Sequence, residues 1–243
     1  MDNKVIIIHG LNNNLECFFP LLEKLKTVGL EGELLSLPGH GKIRQEAKDF
    51  ANAQIVFDQS MQKLIQSAPY SVIAFSQGAL YLELWLEKHQ GRMPDSQVLL
   101  APALFIRHFK KLNFIMSRLP SFAFIISQMP KKLRRFPYLH IWEYRTLFNK
   151  AQSYLQVYSP VKVPTLILVD PKDELVDAQK LKEELDNRNS GAQIIFFERP
   201  YLSGRRPGKY HVLFHPDYFS AQDWDHFTLQ ISEFIKKSSR HEA

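Results

Sequence analysis

The 243-residue chain has a single cysteine, Cys17, so no internal disulfide can form and nothing points to an oxidising compartment. Cys17 reads as an inert packing residue. Long apolar runs are missing as well. Val5-Ile6-Ile7-Ile8, close to the N-terminus, is too short for a signal-peptide core and has no small-residue cleavage site. The longest mid-chain apolar stretch, Leu119 to Met129, includes Pro120, Ser121, Ser127 and Gln128 and falls short of the ~20 residues that a membrane span needs. A cytoplasmic location is therefore expected. His89, His108, His140, His226 and His241 stand at no metal-ligand spacing, so no metal site is expected. The chain shows no internal repeat and no low-complexity segment. Acidic residues are almost absent from one region: between 101 and 160, ten Lys and Arg face Glu143 alone, a local +9. The total is +6, so the rest of the chain carries −3, and the basicity belongs to that segment alone.

What is present describes a globular protein. Hydrophobic residues make up 45% and charged residues 23%, enough to bury a core and still face water. Val5–Ile8 is a continuous β-branched run, as expected of a strand buried on both faces of a parallel sheet. It ends at His9-Gly10-Leu11, followed by a polar turn, Asn12-Asn13-Asn14. A helix is expected from Phe18 to Lys26, a short strand from Gly32 to Leu37 closed by Pro38-Gly39-His40-Gly41, and helical periodicity over 44–67. Ser71–Phe75 reads as a strand, Ser76 to about His89 as a helix, and Val98–Leu100 as a strand ending at Ala101-Pro102-Ala103. From 103 to about 159 the chain is aromatic, apolar and basic, is broken by Pro120, Pro130 and Pro137, and shows no strand alternation. The rhythm resumes with Thr165–Val169, Ala178–Leu185, Gln193–Phe197, a long loop over Tyr201–Lys209, and a last helix over Ala221–Lys236. The tail from Ser238 to Ala243 is expected to be loose. Strands alternating with helices in this way imply a doubly wound, mainly parallel sheet of six or seven strands.

The chemistry gathers around Ser71-Val72-Ile73-Ala74-Phe75-Ser76-Gln77-Gly78-Ala79-Leu80. An apolar run ending in a serine between small residues, with helix formers after it, is the pattern of a strand, a sharp turn and a helix that hold out one hydroxyl. A serine nucleophile needs a base, because its hydroxyl is weak at neutral pH. In doubly wound folds such groups collect at the carboxyl ends of strands. Those ends offer His9-Gly10-Leu11, Ser76, Asp170 or Asp173, and a late loop with His211 and His215. The bland alternatives are an ordinary strand-end serine at 76, a helix cap at Asp173 with Asp170 or Asp177 as rival acids, and structural roles for His9 and His40.

The strand ending in His9-Gly10, Pro38-Gly39-His40-Gly41, the serine elbow, Asp170-Pro171-Lys172-Asp173-Glu174-Leu175-Val176 and the late histidine come in the order of an α/β-hydrolase. The chain resembles the small serine esterase and monoacylglycerol-lipase-like members of that superfamily. The resemblance implies an α/β-hydrolase fold with a helical cap inserted after the strand ending near Ala101. The core would be 1–102 and 160–243, and the cap (lid) 103–159. It also implies Ser76 as nucleophile, Asp173 as acid, His211 as base, and the backbone N–H groups of Leu11 and Gln77 as the oxyanion hole, with no cofactor. Asp170 stands where the family usually has glycine, and the elbow begins with Ala74 in place of glycine. The implied activity is hydrolysis of a small-molecule carboxylic ester with an apolar acyl chain, such as a monoacylglycerol or lysophospholipid.

Other readings share the scaffold. Thioester hydrolysis, acyl transfer and carbon–carbon lyase chemistry run on it, and an idle relative would bind lipid or a partner through its basic cap. Residues 103–159 have three readings: a solvated cover, a lid whose apolar side lines an acyl pocket, or a peripheral contact with anionic membrane. The lid is favoured because Phe105, Phe109, Leu112, Phe114, Ile115 and Met116, with Leu119, Phe122, Phe124, Ile125, Ile126 and Met129, exceed what a cover requires. Nucleic-acid binding is not expected, since the positive charge comes without a binding motif.

Overall fold

The structure, a computed structural model, describes residues 4–40, 50–65, 69–91, 93–127, 129–157, 163–187, 190–199 and 210–239. The expected loop Tyr201–Lys209, Gly41, the outer parts of the 44–67 helix and the tail beyond Ser239 lie outside the described residues.

Strands β1 (Lys4–Ile8), β2 (Glu31–Leu35), β3 (Tyr70–Phe75) and β4 (Ser96–Leu100) are joined by helices α1 (Phe19–Thr27), α2 (Phe50–Leu64) and α3 (Gln77–Lys88). After β4 come α4 (Phe109–Arg118), β5 (Phe124–Ile126), β6 (Tyr138–His140) and α5 (Ile141–Val157). The chain then returns through β7 (Thr165–Val169), α6 (Ala178–Asn187), β8 (Gln193–Phe196) and α7 (Ala221–Ser238). Six strands form one sheet in the order β2-β1-β3-β4-β7-β8, and all five pairings are parallel.

Both faces of this sheet are covered, which is why its central strands are apolar without alternation. Val5, Ile7, Ile73, Phe75, Leu100 and Leu168 pack with Leu21 and Leu25 of α1 and Phe227, Ile231 and Ile235 of α7. Ile6, Ile8, Val72, Leu99 and Ile167 pack with Phe57 and Met61 of α2, Leu80 and Trp85 of α3, and Leu181 of α6. The chain runs outward from β1 to β2 and then crosses to β3 on the other side of β1. The crevice at such a switch, at the carboxyl ends of β1 and β3, is where an open sheet can hold a ligand.

The segment between β4 and β7 differs from the expectation of helices alone. It contains α4 and α5, but also a two-stranded antiparallel hairpin in which Phe124 pairs with His140 and Ile126 with Tyr138. Pro120, Pro130 and Pro137 break helical periodicity and leave these short extended pieces between. The helix α5 packs across α2 and α3, with Ala151 and Tyr154 in the core.

Candidate active site

Ser76 follows β3 directly and sits at φ 51°, ψ −116°, a conformation an L-residue adopts only when its surroundings impose it. Two glycines make that turn possible. A Cβ on Gly10 would fall 2.7 Å from the Phe75 ring and 2.9 Å from Ser76 Cβ, and one on Gly78 would lie 2.5 Å from the His9 carbonyl oxygen. The loop after β1 therefore passes against the elbow, and α3 starts against the end of β1. The Ser76 N–H donates to the Leu100 carbonyl at 2.9 Å, which ties the turn to β4. Ala74, the irregular first residue of the elbow, is fully buried in ordinary parallel pairing with Ile8 and Leu99.

His211 bridges the other two groups. Its Nδ1–H donates to Asp173 Oδ2 at 2.9 Å, and its Nε2 stands 2.9 Å from Ser76 Oγ. An acceptor carboxylate at Nδ1 fixes the proton there and leaves Nε2 to accept from the serine hydroxyl. Asp173 is held on its other oxygen by the N–H groups of Leu175 and Val176, both at 2.8 Å. Burial pushes its carboxyl upward, but His211 and these N–H donors outweigh that and keep it below the ordinary carboxylate range. Asp173 is thus both a local turn cap and the partner of His211, so the two readings of it are compatible. The His211 ring lies 5.0 Å from that of Phe75, which meets Phe214, itself stacked on Phe18. The apolar run Val212-Leu213-Phe214 is fully buried and anchors the histidine.

The rival residues have other occupations. His215 caps the short turn Pro216–Tyr218 through the Asp217 N–H, and Asp177 Oδ1 accepts from Lys180 N–H at the start of α6. Asp170 pairs with Arg199, which sequence reading did not single out. Buried Arg199 donates from Nε to Asp170 Oδ2 at 3.2 Å, from Nη1 to the Val212 carbonyl at 2.7 Å and from Nη2 to the Tyr210 carbonyl. It grips the carbonyls on both sides of His211. The only hint in the sequence was an aspartate at the end of β7 where family members carry glycine.

Leu11, on the loop after β1, and Gln77, at the start of α3, flank the elbow, and among the described residues no protein acceptor engages either backbone N–H. The Leu11 loop is braced by two histidines. His9 accepts the Leu37 N–H at 2.9 Å, and burial, with His40 beside it, lowers its pKa to about 3. His40 Nε2 accepts the Asn12 N–H at 2.7 Å, holding the residue next to Leu11. Asn12, expected only as part of a polar turn, is fully buried at φ 60°. Its side chain donates to Ser127 Oγ and the Phe136 carbonyl and accepts the Phe136 N–H, all within 2.9 Å. It stitches the loop after β1 to the inserted segment. A cavity of about 10 Å³ beside it, room for one water, is lined by Leu11, Gln77, Tyr81, Trp142 and Glu143. The much larger cavity, about 830 Å³, lies between Phe105, Phe114, Leu155 and Lys180 and does not reach Ser76.

Hydroxyl, imidazole and carboxylate in this relay can turn the serine into a nucleophile, and two free N–H groups at a helix start and a loop can hold an oxyanion. The family model described as "Serine aminopeptidase, S33" matches residues 1–146, more than half of the chain. The chain belongs to this hydrolase family. No curated protein matches it in sequence. Among solved structures, the chain is similar to a monoacylglycerol lipase from Paleococcus ferrophilus, at TM-score 0.72 and 17% identity over 97% of this chain and 94% of that one. A soluble variant of the Saccharomyces cerevisiae monoglyceride lipase, with a substrate analogue, matches at TM-score 0.73 and 13% identity over 98% and 88%. Est1E from Butyrivibrio proteoclasticus, with ferulic acid bound, matches at TM-score 0.63 and 15% identity over 98% and 88%. These likenesses, the family match and the six-stranded parallel sheet give the chain an α/β-hydrolase fold. Among the described residues no group of three or more His, Cys, Asp or Glu is gathered to hold a metal, and no helix is long and apolar enough to cross a membrane. Cys17 is buried, its Sγ–H donates to the Asn14 carbonyl, and burial pushes its thiol up to about 12.

Proposed function

We propose that the protein is a serine esterase that cleaves small-molecule carboxylic esters with an apolar acyl chain. The observation that carries the reading is His211 within 2.9 Å of both Ser76 Oγ and Asp173 Oδ2. His211 takes the proton of Ser76 as Oγ attacks the ester carbonyl. The Leu11 and Gln77 N–H groups hold the resulting oxyanion, each contributing about 3 kcal/mol at the transition state. His211 then gives its proton to the departing alkoxide, leaving the acyl group on Ser76. Water, deprotonated by His211, attacks the acyl carbonyl, and collapse of the second oxyanion frees the acid and restores the Ser76 hydroxyl.

Monoacylglycerol lipases among the structural neighbours favour a monoacylglycerol or lysophospholipid as the ester. Residues 103–159 act as the cap over this centre, since the Asn12 bonds and the α5 contacts tie them to the site's loops. The test is a panel of p-nitrophenyl esters of increasing acyl length beside aminoacyl-naphthylamides, with fluorophosphonate labelling. Ester turnover, labelling at Ser76, and a loss on the order of a thousandfold or more in Ser76→Ala are expected. Turnover of the amides alone, or no labelling, refutes the esterase reading.

A further inference from the structure

The helix α4 buries no residue completely, although it carries Phe109, Leu112, Phe114, Ile115 and Met116. Lys111, Phe114, Ile115 and Arg118 form one stripe at i, i+3, i+4 and i+7, and all four are exposed. The hairpin is inverted in the same sense. Leu139 on its inner face is buried, while Phe124 and Ile126 on the opposite face are 62% and 69% exposed. An outward face of a two-stranded hairpin is ordinarily polar. Phe122, between helix and hairpin, is 79% exposed. The pieces form one surface. Arg145 of α5 donates to the Met116, Ser117 and Leu119 carbonyls, His140 donates to the Phe122 carbonyl, and the Phe124 and Tyr138 rings lie 5.1 Å apart. At about 150–250 Å² for each aromatic side chain, the exposed fractions amount to on the order of 500 Å², the upper end of the largest apolar patch a monomer carries.

Half of the apolar residues assigned to an acyl-pocket lining are thus exposed to solvent: Phe114, Ile115, Leu119, Phe122, Phe124 and Ile126. Charge indicates what covers them. Lys110, Lys111, Arg118, Lys131 and Arg135 are exposed in this segment. Its one acid, Glu143, is buried, with Oε2 accepting the His140 N–H at 2.7 Å. Arg118 lies over the Phe114 ring, 3.3 Å from its centroid, so cation and apolar surface interleave. A second copy of the chain would bring the same positive charge against itself, which opposes self-association.

We propose that α4 and the β5–β6 hairpin form a peripheral docking face for an anionic lipid bilayer. Phe122, Phe124 and Ile126 enter the headgroup–acyl boundary, and Lys110, Lys111 and Arg118 meet the lipid phosphates and carboxylates. The surface binds lipid as an aggregate and does so without the Ser76 centre.

Sedimentation of the full chain with vesicles of phosphatidylcholine, with and without phosphatidylserine, tests this. Binding to the anionic vesicles that weakens as salt is raised is expected. The Lys110→Ser/Lys111→Ser variant should bind them roughly 25-fold more weakly, at about fivefold per lysine. Phe122→Ser/Phe124→Ser/Ile126→Ser should lose binding at every salt concentration and keep the circular dichroism and melting of the parent, because these residues are exposed. Equal binding to both vesicle types, unchanged binding by the triple variant, or association of the chain with itself through this face and none with vesicles overturns the proposal. Fluorophosphonate labelling of Ser76 in solution reports on the esterase reading separately.

Discussion

Replacing Arg199 by methionine tests how the histidine is held. Arg199 and Asp170 are both buried, so the variant leaves a carboxylate in the interior without its cation. Breaking a buried pair from one side costs about 3–5 kcal/mol. At roughly 2–4 °C per kcal/mol for a domain of this size, melting should fall by about 6–20 °C. The double variant Asp170→Asn/Arg199→Met removes the stranded charge, and since losing both partners of a buried pair is often close to neutral, it should recover most of the melting temperature. It does not restore the donors to the Tyr210 and Val212 carbonyls, so the register of His211 stays loose. A displacement of about 1 Å in a reacting group costs on the order of a hundredfold, so kcat on a short soluble ester should remain that much lower, with KM little changed. Thermal melts and steady-state kinetics on the parent, the single and the double variant decide the matter. A double variant that regains melting temperature and kcat together refutes the positioning role and leaves the pair as packing. A single variant that melts within a degree of the parent refutes the burial argument itself.

Asn12→Ala should cost about 2–4 kcal/mol through the three lost side-chain bonds, at about 1 kcal/mol each plus stranded partners. Asn12→Gly keeps the positive φ and separates that loss from backbone strain in the same denaturant titration. Gly78→Ala should destabilise by about 1–3 kcal/mol or more, because the obstacle is the His9 and Ile8 backbone. Gly91→Ala, with open space around it, should change stability by less than about 1 kcal/mol. Lys150 is buried, donates to Gln54 Oε1 at 2.5 Å and lies over the Tyr81 ring, and burial lowers its pKa to about 7. The unfolded chain keeps that proton up to about 10.5, so between pH 7 and 10.5 the unfolded state holds more protons and stability gained from this group rises with pH. Lys150→Met should therefore flatten the pH dependence of melting in that window, and an unchanged slope would refute the assignment.

The strands were legible because a sheet covered on both faces needs uninterrupted β-branched runs, and Val5–Ile8 and Thr165–Val169 are such runs. The elbow was legible for a steric reason, since Ser76 can turn only where Gly10 and Gly78 admit neighbouring backbone. The hairpin at Phe124–Ile126 and Tyr138–His140 was not, because three-residue strands carry too little alternation to stand out from an apolar, proline-broken stretch. Arg199 was hidden for another reason: nothing local distinguishes a buried arginine from the basic residues that follow it.

That a serine, an aspartate and a late histidine follow one another at strand ends, and that residues 103–159 are basic, is legible in the sequence alone, because both are properties of the chain read in line. Which aspartate meets the imidazole, and which apolar residues of the inserted segment face solvent, were decided by the tertiary structure. Asp170 and Asp173 lie three residues apart, and only the approach of Arg199 and His211 from a distant loop gives one to each. Phe124 and Leu139 are alike in sequence, and only the pairing of two short strands turns the first outward and buries the second.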